Sequence, residues 1–318
     1  MFNRIFHLVV FFLNSYALGI DIGGTNTKFS LVNAKGDLIE AQHFRTDASR
    51  PFSDFTSRLQ AEVYPYLERH GIKKEKLPVG IGLPNYSSVK KKLIAPPNLS
   101  WAAEFSEQMF KEIFPGHLKL ENDANVAAIG EKTWGLARGC SDFISITVGT
   151  GIGSGIFCHN HLLTAASGIA GEAGHIIVKP NGNPCKCGGA GHFESHCSVR
   201  AIKEKIQQVY GKELSFHHIV EQFRNNEPKT IAIFEETALH FAVGLQQLMA
   251  LFSPQKIILS GGGMVVGERY LNMIKNALLP IAYPPSLIDF ELVISELSVA
   301  EGAILGAAAL VISDNTHG

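Results

Sequence analysis

Three glycine clusters each follow a short apolar run in the 318-residue sequence: Gly23-Gly24, Gly149-Thr150-Gly151 and Gly261-Gly262-Gly263. Glycine has no Cβ, so the main-chain N–H groups of such turns can approach phosphate oxygens closely. One cluster alone is better explained as an ordinary turn, but three clusters at the ends of predicted strands favour phosphate binding. The sequence contains no G-x-x-x-x-G-K-[ST] loop, and the Gly149 cluster runs into a strand rather than the helix of a dinucleotide fingerprint. We therefore expect a different mode of phosphate binding.

A second candidate site is Glu121-Asn122-Asp123, where a short apolar strand is predicted to pass into a helix. Phosphoryl transfer to an alcohol needs a group that accepts the hydroxyl proton, and the carboxylate of Asp123 suits that role. The amide of Asn122 suits hydrogen bonds to the hydroxyls of a sugar. The position of Asp123 immediately before Ala124 is equally suited to capping the helix that follows. The motif alone leaves the two roles of Asp123 open.

The most specific stretch of the sequence lies between Gly171 and Glu194 and brings two histidines and two cysteines into close spacing. Zinc favours four nitrogen and sulfur ligands in a closed tetrahedral site. The candidate ligands are His175, Cys185, Cys187 and His192. Glu172 and Glu194 flank them and are expected to orient sugar hydroxyls. Free cysteines in a flexible loop are the alternative.

The elements that position these residues alternate between strands and helices. A strand, a glycine turn and a second strand begin at Ala17, and the same order returns at residues 143–158. Further strands are predicted at residues 38–44, 78–83, 118–120 and 256–259, and helices at about 52–69, 124–134, 230–252 and 301–312. Two related halves with alternating elements indicate two α/β domains. We predict the first at residues 17–122, with the last helix (301–318) returning to it, and the second, which carries the cysteine-rich loop, at residues 123–300.

The composition is that of a globular protein with a hydrophobic core, with 46% hydrophobic and 18% charged residues. The formal charge of -1 provides no basic field for nucleic acid or for an acidic membrane surface, so small molecules are the expected partners. Five cysteines, three of them in one short stretch, favour a metal site in a reducing compartment over a disulfide framework. We therefore expect a cytoplasmic protein.

Residues 1–16 have two interpretations. Arg4, an apolar run at residues 8–13 and Ser15-Tyr16-Ala17 have the order of a secretory signal with a small-residue cleavage site. The alternative, which we favour, is an N-terminal extension, because cleavage after Ala17 falls at the edge of the first predicted strand. The apolar run is too short to span a bilayer.

Taken together, these motifs resemble the ROK family of bacterial sugar kinases and repressors. The resemblance extends over about residues 18–310 and is carried by Asp21-Ile22-Gly23-Gly24-Thr25-Asn26, Ala95-Pro96-Pro97-Asn98-Leu99, Glu121-Asn122-Asp123-Ala124-Asn125, Thr147-Val148-Gly149-Thr150-Gly151-Ile152-Gly153, residues 171–175 and 185–194, and Gly261-Gly262-Gly263. It implies a two-domain α/β protein with the actin-like ATPase (ribonuclease H-like) fold, whose domains close over ATP and sugar in the cleft between them. It also implies Mg²⁺ on the phosphates and a homodimer.

The resemblance also implies roles for individual residues. Nucleotide-binding positions correspond to Asp21, Gly23, Gly24, Thr25, Asn26 and Lys28 in a first phosphate loop, Gly149, Thr150 and Gly151 in a second, and Gly261, Gly262 and Gly263 near the adenosine. Sugar-contacting positions correspond to Asn98, Asn122, Asp123, Glu172, His175 and Glu194, with Asp123 as the base. The family pattern C-x-C-G-x-x-G-C has a third cysteine where this sequence has His192. Imidazole is a competent zinc ligand, so we retain the site, with Cys197 as an alternative fourth ligand.

The activity that the resemblance implies is transfer of the γ-phosphate of ATP to a sugar hydroxyl, at the 6-position, with glucose favoured. Kinases of N-acetylglucosamine, N-acetylmannosamine or fructose are the alternatives. A sugar-sensing repressor is less well supported, because about 17 residues precede the first strand, fewer than a helix-turn-helix module needs. An ATPase without a sugar substrate is also less well supported, because Asp123 occurs together with Glu172, His175 and Glu194.

Overall fold

The computed structural model describes residues 16–94, 99–298 and 301–312. Its strands are β1 (Tyr16–Ile22), β2 (Asn26–Asn33), β3 (Leu38–Arg45), β4 (Val79–Leu83), β5 (Tyr86–Ser87), β6 (Lys92–Leu93), β7 (Leu118–Asn122), β8 (Phe143–Val148), β9 (Ile152–Cys158), β10 (His161–Leu162), β11 (Lys256–Ser260) and β12 (Glu291–Ile294). Its helices are α1 (Phe52–Arg69), α2 (Glu107–Ile113), α3 (Asp123–Thr133), α4 (Phe193–Cys197), α5 (Val199–Tyr210), α6 (Phe216–Arg224), α7 (Pro228–Phe252), α8 (Glu268–Leu278) and α9 (Gly302–Ile312). Residues 1–15, which fall within the N-terminal extension or signal-like segment, and the sugar-contact candidate Asn98 lie outside the described residues.

The described residues form two compact units. The first comprises residues 16–94, 99–138, 164–170 and 301–312, and the second comprises residues 139–163 and 171–298. None of the helices in these ranges has both the length and the apolar character needed to cross a bilayer.

The first unit is built on a five-stranded sheet in the order β3-β2-β1-β4-β7. β1 pairs antiparallel with β2 and parallel with β4, and β4 pairs parallel with β7. All five residues of β4 are buried, as is usual for a strand covered on both faces. α9 packs on β1 and β4, where Gly80 provides the room, because a Cβ there would collide with the carbonyl group of Ala307. The parallel strands β1, β4 and β7 end together at one edge of this sheet.

Helix α3 belongs to the first unit because it packs closely against α9. A Cβ on Gly130 would lie 3.1 Å from the Cα of Gly306, so the two helix backbones nearly touch. The structure therefore divides the chain at residue 138, whereas the sequence prediction divided it at residue 122. The difference comes from the packing of α3 against α9, two helices that lie far apart in the chain, and local patterns do not reveal such packing.

The second unit is built on a sheet in the order β10-β9-β8-β11-β12. β8 pairs antiparallel with β9 and parallel with β11. Helix α7 has 25 residues and packs against α4, α5 and α8, and it buries Phe234 and Phe241 in the core. The strand, turn and strand predicted at the start of each half are confirmed as β1–β2 and β8–β9, and the long apolar helix is confirmed as α7.

Candidate active site

The ends of the parallel strands bring the candidate acids of the first unit to one edge of its sheet. In the sheet register, Asp21 of β1 lies beside Gly82 of β4, and Gly82 lies beside Glu121 of β7. Two residues beyond Glu121, α3 begins with Asp123. The negative charge of Asp123 acts on Asp21, so the two carboxyl groups are electrostatic neighbours.

Asp21 and Asp123 both hold a proton more firmly than a free aspartate. The pKa of Asp21 is raised to about 6, first by burial and then by the charge of Asp123, while the charge of Lys28 opposes the shift. Lys28 lies directly opposite Asp21 in β2. Asp123 is exposed at the surface, but the surrounding protein still removes part of the hydration of its carboxylate, and this raises its pKa. The hydrogen bond from the N–H group of Ala124 acts in the opposite direction and lowers the pKa. A raised pKa makes a carboxylate a better proton acceptor near neutral pH, as a general base requires.

The N-cap of α3 is Asn122, which separates the two roles that the sequence left open for Asp123. The side-chain oxygen of Asn122 accepts hydrogen bonds from the N–H groups of Ala124, at 2.9 Å, and Asn125, at 3.3 Å. The Asp123 carboxylate also accepts the N–H of Ala124 at 2.9 Å. Asn122 therefore performs most of the capping, and its side-chain nitrogen is the part that remains for a ligand.

Glu121 fixes the junction between β7 and α3. Its side chain is buried, and one carboxylate oxygen accepts the N–H of Asn122 at 2.8 Å and the side-chain N–H of Asn125 at 3.0 Å. Sequence reasoning did not assign a role to Glu121 or Asn125. The available signal was the spacing of four residues between an acid and an amide across the start of a helix.

The first glycine turn, residues 23–26, is held from outside by Thr46, the residue after β3. Gly23 donates its N–H to the carbonyl oxygen of Asn26 at 3.0 Å. The Thr46 hydroxyl donates to the carbonyl oxygen of Gly23 at 2.7 Å, and the Thr46 N–H donates to the carbonyl oxygen of Thr25 at 2.9 Å. Sequence reasoning did not find Thr46, because no local motif joins it to the turn.

The second glycine turn, residues 149–151, is held by a carboxylate and an arginine. Glu194 accepts the N–H of Ile152 at 3.1 Å with one oxygen, and Arg200 donates to its other oxygen at 2.9 Å. A Cβ on Gly151 would collide with the Glu194 carboxylate, so this glycine permits the close approach. Glu194 was predicted as a sugar contact, and the structure adds that it touches the second glycine turn. The sequence did not predict the partner Arg200. Glu194 and Arg200 lie on two different helices, α4 and α5, which meet at Ser198, so their spacing in one continuous helix gives no signal.

The third glycine cluster follows β11, next to the second glycine turn. Ser260 at the end of β11 pairs with Thr147 near the end of β8. Gly261 has a φ of 88°, and a Cβ there would lie 2.5 Å from the carbonyl oxygen of Val148. Only glycine fits this position, so Gly261-Gly262-Gly263 brings bare backbone to the same edge of the sheet as Gly149.

The four candidate metal ligands form one cluster, here called the metal cluster. One ligand atom from each residue lies within 4.8 Å of the others in the set His175, Cys185, Cys187 and His192. The Cys187 sulfur is 3.2 Å from Nδ1 of His192, and the Cys185 sulfur is 4.0 Å from Nδ1 of His175. The N–H of Cys185 donates to the carbonyl oxygen of Gly189 at 2.8 Å, which closes the loop that carries both cysteines. Two nitrogens and two sulfurs at this spacing fit a tetrahedral zinc site.

The prediction of Cys197 as an alternative zinc ligand is wrong. Its side chain is fully buried in the hydrophobic core of the second unit, and its sulfur donates to the carbonyl oxygen of Thr237 at 3.6 Å. Cys197 ends α4 and faces α7 rather than the metal cluster.

The sequence matches the profile of the ROK family over residues 17–314. The chain belongs to the ROK family. It is 28% identical to a glucokinase of Thermotoga maritima over an alignment of 316 residues. That alignment covers 92% of this chain and 96% of the glucokinase. It is also 28% identical to a xylose repressor of Bacillus spizizenii over an alignment of 303 residues, and that alignment covers 93% of this chain and 77% of the repressor.

The fold agrees with that of solved ROK kinases. The structure matches a ROK family glucokinase from Streptomyces griseus, crystallised with glucose and AMPPNP, with a TM-score of 0.79 and 27% identity, over 94% of this chain and 100% of that chain. ROK sugar kinases have the actin-like ATPase fold, so the fold predicted from the sequence is confirmed.

In this ROK chain the site candidates fall into two groups. The first unit carries Asp21, the first glycine turn, Lys28, Asn122 and Asp123, and the second unit carries the other two glycine clusters, Glu172, Glu194 and the metal cluster. His175, at the end of a short 3₁₀ helix (Ala173–His175), is predicted both as a metal ligand and as a sugar contact. The two roles are compatible, because a ring that binds metal through Nδ1 keeps Nε2 for a hydrogen bond.

Proposed function

We propose that the protein is an ATP-dependent hexose kinase that transfers the γ-phosphate of ATP to a sugar hydroxyl at the 6-position, with glucose as the favoured substrate. The observation that carries the proposal is the acid pair Asp21 and Asp123 at the ends of the parallel strands, with the raised pKa of both carboxyl groups. Relatives named glucokinase, and a solved relative with glucose and AMPPNP, support the choice of substrates.

Asp123 is proposed as the general base. Its carboxylate accepts the proton of the sugar hydroxyl as the oxygen attacks the γ-phosphate. Asn122, Glu172, His175 and Glu194 hydrogen-bond other sugar hydroxyls, as does Asn98, which lies outside the described residues. The N–H groups of the glycine turns at residues 23–26 and 149–151 stabilise the charge on the phosphates, and Gly261-Gly262-Gly263 contacts the adenosine. Mg²⁺ bound to the phosphates would add electrostatic stabilisation of the transferred group.

A zinc ion in the metal cluster is proposed as structural. His175, Cys185, Cys187 and His192 would hold it, and its bonds would fix the loop that precedes Glu194. Because Cys185 and Cys187 must stay reduced to bind the ion, we also propose a cytoplasmic protein. A homodimer is proposed from the family resemblance alone.

A sugar-sensing protein without catalysis is the second candidate, because xylose repressors are among the relatives. The two candidates differ in whether nucleotide is consumed. A coupled ADP-release assay with ATP and Mg²⁺, across glucose, fructose, N-acetylglucosamine and N-acetylmannosamine, separates them. A kinase consumes ATP with at least one of these sugars, and with glucose if the favoured substrate is right. Sugar binding by calorimetry without ADP release from any of the four would replace the kinase with the sensor.

Metal content tests the zinc site separately from activity. We expect the purified protein to hold one zinc per chain, and Cys187→Ser to lose most of it, because a thiolate is removed from the set. Cys158→Ser is the matched control, since Cys158 lies at the end of β9 and is not part of the metal cluster. Metal analysis by mass spectrometry measures both variants. Equal zinc content in Cys187→Ser and the wild type would remove Cys187 from the site.

A further inference from the structure

Thr46 makes two hydrogen bonds to the first glycine turn, one from its side chain and one from its main chain. It follows β3 directly, its side chain is 1% exposed, and it carries no charge. Its hydroxyl donates to the carbonyl oxygen of Gly23 at 2.7 Å, and its N–H donates to the carbonyl oxygen of Thr25 at 2.9 Å. One residue, placed directly after a neighbouring strand, thus donates to two carbonyl groups of the same turn.

A second buried hydroxyl sets the direction of this hydrogen-bond chain. The Thr27 and Thr46 hydroxyl oxygens are 3.0 Å apart, and the Thr27 side chain is also fully buried. A hydroxyl has one proton, and that of Thr46 is used toward Gly23, so Thr27 must donate to Thr46. The chain therefore runs from Thr27 through Thr46 to the Gly23 carbonyl, and each bond polarises the next.

The two anchored carbonyls determine where the neighbouring N–H groups point. In a planar trans peptide, the N–H points opposite to the C=O of the same peptide group. The Gly23 carbonyl shares its peptide with the N–H of Gly24, and the Thr25 carbonyl shares its peptide with the N–H of Asn26. Both carbonyls point to Thr46, so both N–H groups point away from it. Gly24 is half-buried and Thr25 and Asn26 are exposed, so the turn itself is open to a ligand.

We propose that Thr46 is a positioning residue for nucleotide phosphate: it holds two peptide planes of the first glycine turn so that the N–H groups of Gly24 and Asn26 face a bound phosphate. The inference rests on the proposed use of this turn for ATP. Pre-set N–H groups bind an anion without first reorienting, which stabilises both bound nucleotide and the charge that develops during transfer.

Three substitutions separate positioning from general stability. Thr46→Val keeps the shape and the main-chain N–H but removes the hydroxyl, whereas Thr46→Ser keeps the hydroxyl. Thr27→Val removes only the donor to Thr46. Thr56→Val is the control, because Thr56 is a buried threonine of α1 in the same unit whose hydroxyl bonds to Ser53 instead.

We expect Thr46→Val to weaken AMPPNP·Mg²⁺ binding and to raise the KM for ATP by about 3-fold to 10-fold, the range for one lost hydrogen bond. The KM for sugar should stay constant, Thr46→Ser should restore binding, and Thr27→Val should have a smaller effect than Thr46→Val. Calorimetry and steady-state kinetics give these values. Hydrogen exchange of the peptide that spans residues 23–26 should show less nucleotide protection in Thr46→Val than in the wild type.

The outcomes distinguish this inference from the proposed function. If the wild type phosphorylates no sugar but Thr46→Val still weakens AMPPNP binding, the kinase proposal fails and the positioning role of Thr46 stands. If Thr46→Val binds AMPPNP as the wild type does, or if Thr56→Val weakens binding equally, the positioning role is overturned. If Thr46→Val does not fold, the Thr46→Ser and Thr27→Val proteins decide. Thr46→Ser that binds AMPPNP much more weakly than the wild type, or Thr27→Val that binds it as the wild type does, overturns the positioning role. A wild type that binds no nucleotide overturns both proposals.

Discussion

The two glycine turns occupy corresponding places in the two units but are fixed by different chemistry. The first is anchored by uncharged groups, the hydroxyl and the main-chain N–H of Thr46. The second is anchored by a charged pair, because Glu194 accepts the N–H of Ile152 and is itself held by Arg200. A hydroxyl anchor adds no charge, whereas the Glu194 carboxylate places a negative charge beside its turn. The same strand, turn and strand therefore provide two different electrostatic surroundings.

The acids near the two turns, Asp21 and Glu194, also differ in the charge of their neighbours. Asp21 is next to another acid, Asp123, and burial and that neighbouring charge raise its pKa. Glu194 instead has Arg200 at 2.9 Å, and both side chains are largely shielded, with 18% and 17% exposure. A like charge raises the pKa of a carboxyl, as it does at Asp21, whereas Glu194 is held in an ion pair. We therefore propose that the first unit provides the proton acceptor and that the second unit provides an ion-paired carboxylate.

The largest effect is expected from Asp123→Asn, which removes the proposed proton acceptor of the first unit but keeps the size of the side chain. We expect kcat to fall by about 10²-fold to 10⁴-fold, the usual contribution of a general base, while sugar affinity changes by less than about 2-fold. Steady-state kinetics at saturating ATP and sugar give kcat, and calorimetry gives the sugar affinity.

Asp37→Asn is the matched control for that substitution. Asp37 lies between β2 and β3 in the same unit, where its exposed carboxylate accepts a hydrogen bond from Asn33. Because Asp37 is not one of the site residues, the kcat of the Asp37→Asn protein should equal that of the wild type. Equal kcat values for Asp123→Asn and the wild type would show that Asp123 is not the base, and the difference between a proton-accepting first unit and an anionic second unit would disappear.

A smaller effect is expected on stability when Asp21 becomes neutral. The folded pKa of about 6 lies above the free value of 3.8, so the folded chain binds the proton more tightly than the unfolded chain does. The stability that Asp21 contributes therefore falls as pH rises from about 4 to about 6, and the loss persists above that range. Asp21→Asn should match the wild type below about pH 4 and should be more stable by about 1 to 3 kcal/mol above about pH 6.

Urea unfolding of nucleotide-free and Mg²⁺-free protein, repeated from acidic to neutral pH, measures this difference. Asp47→Asn should behave in the opposite way. The hydrogen bond from Arg58 lowers the pKa of Asp47, so the wild type should gain slightly from its ionisation as pH rises. An Asp21→Asn protein that gains nothing at neutral pH would contradict the effect of burial and of the neighbouring Asp123 charge on Asp21.

The turns themselves were predictable from the sequence, but their anchors were not. Glycines after apolar runs predict tight turns at strand ends, and this signal is local, so both β1–β2 and β8–β9 were found. Thr46 is 23 residues from Gly23, and Glu194 is 42 residues from Ile152. Contacts over such distances have no fixed spacing, because they depend on which strands become neighbours.

The metal cluster shows how far close spacing can lead. Four potential ligands within 18 residues predicted a cluster, and the structure brings those four together. Cys197 lies only five residues beyond His192, so spacing alone made it an equally good candidate ligand. The side of α4 on which it lies decides its role, and that side packs against α7. Spacing therefore selects candidates, and tertiary packing decides among them.

The smallest of the three effects is expected from Arg200→Met, which removes the cation of the second unit but keeps much of the apolar stem. Glu194 would keep its bond to Ile152 and lose its charged partner, so its carboxylate would be less well oriented. We expect a loss of about 1 kcal/mol in stability, typical of one hydrogen bond in a partly shielded pair, with kcat changed by less than about 2-fold. Lys205→Met is the control, because it breaks the more exposed pair with Glu236 and should cost less stability. If Arg200→Met lowered kcat as much as Asp123→Asn does, the Arg200–Glu194 pair would matter as much to the chemical step as the proposed base. The contrast between a proton acceptor in the first unit and an ion-paired carboxylate in the second would then have to be abandoned.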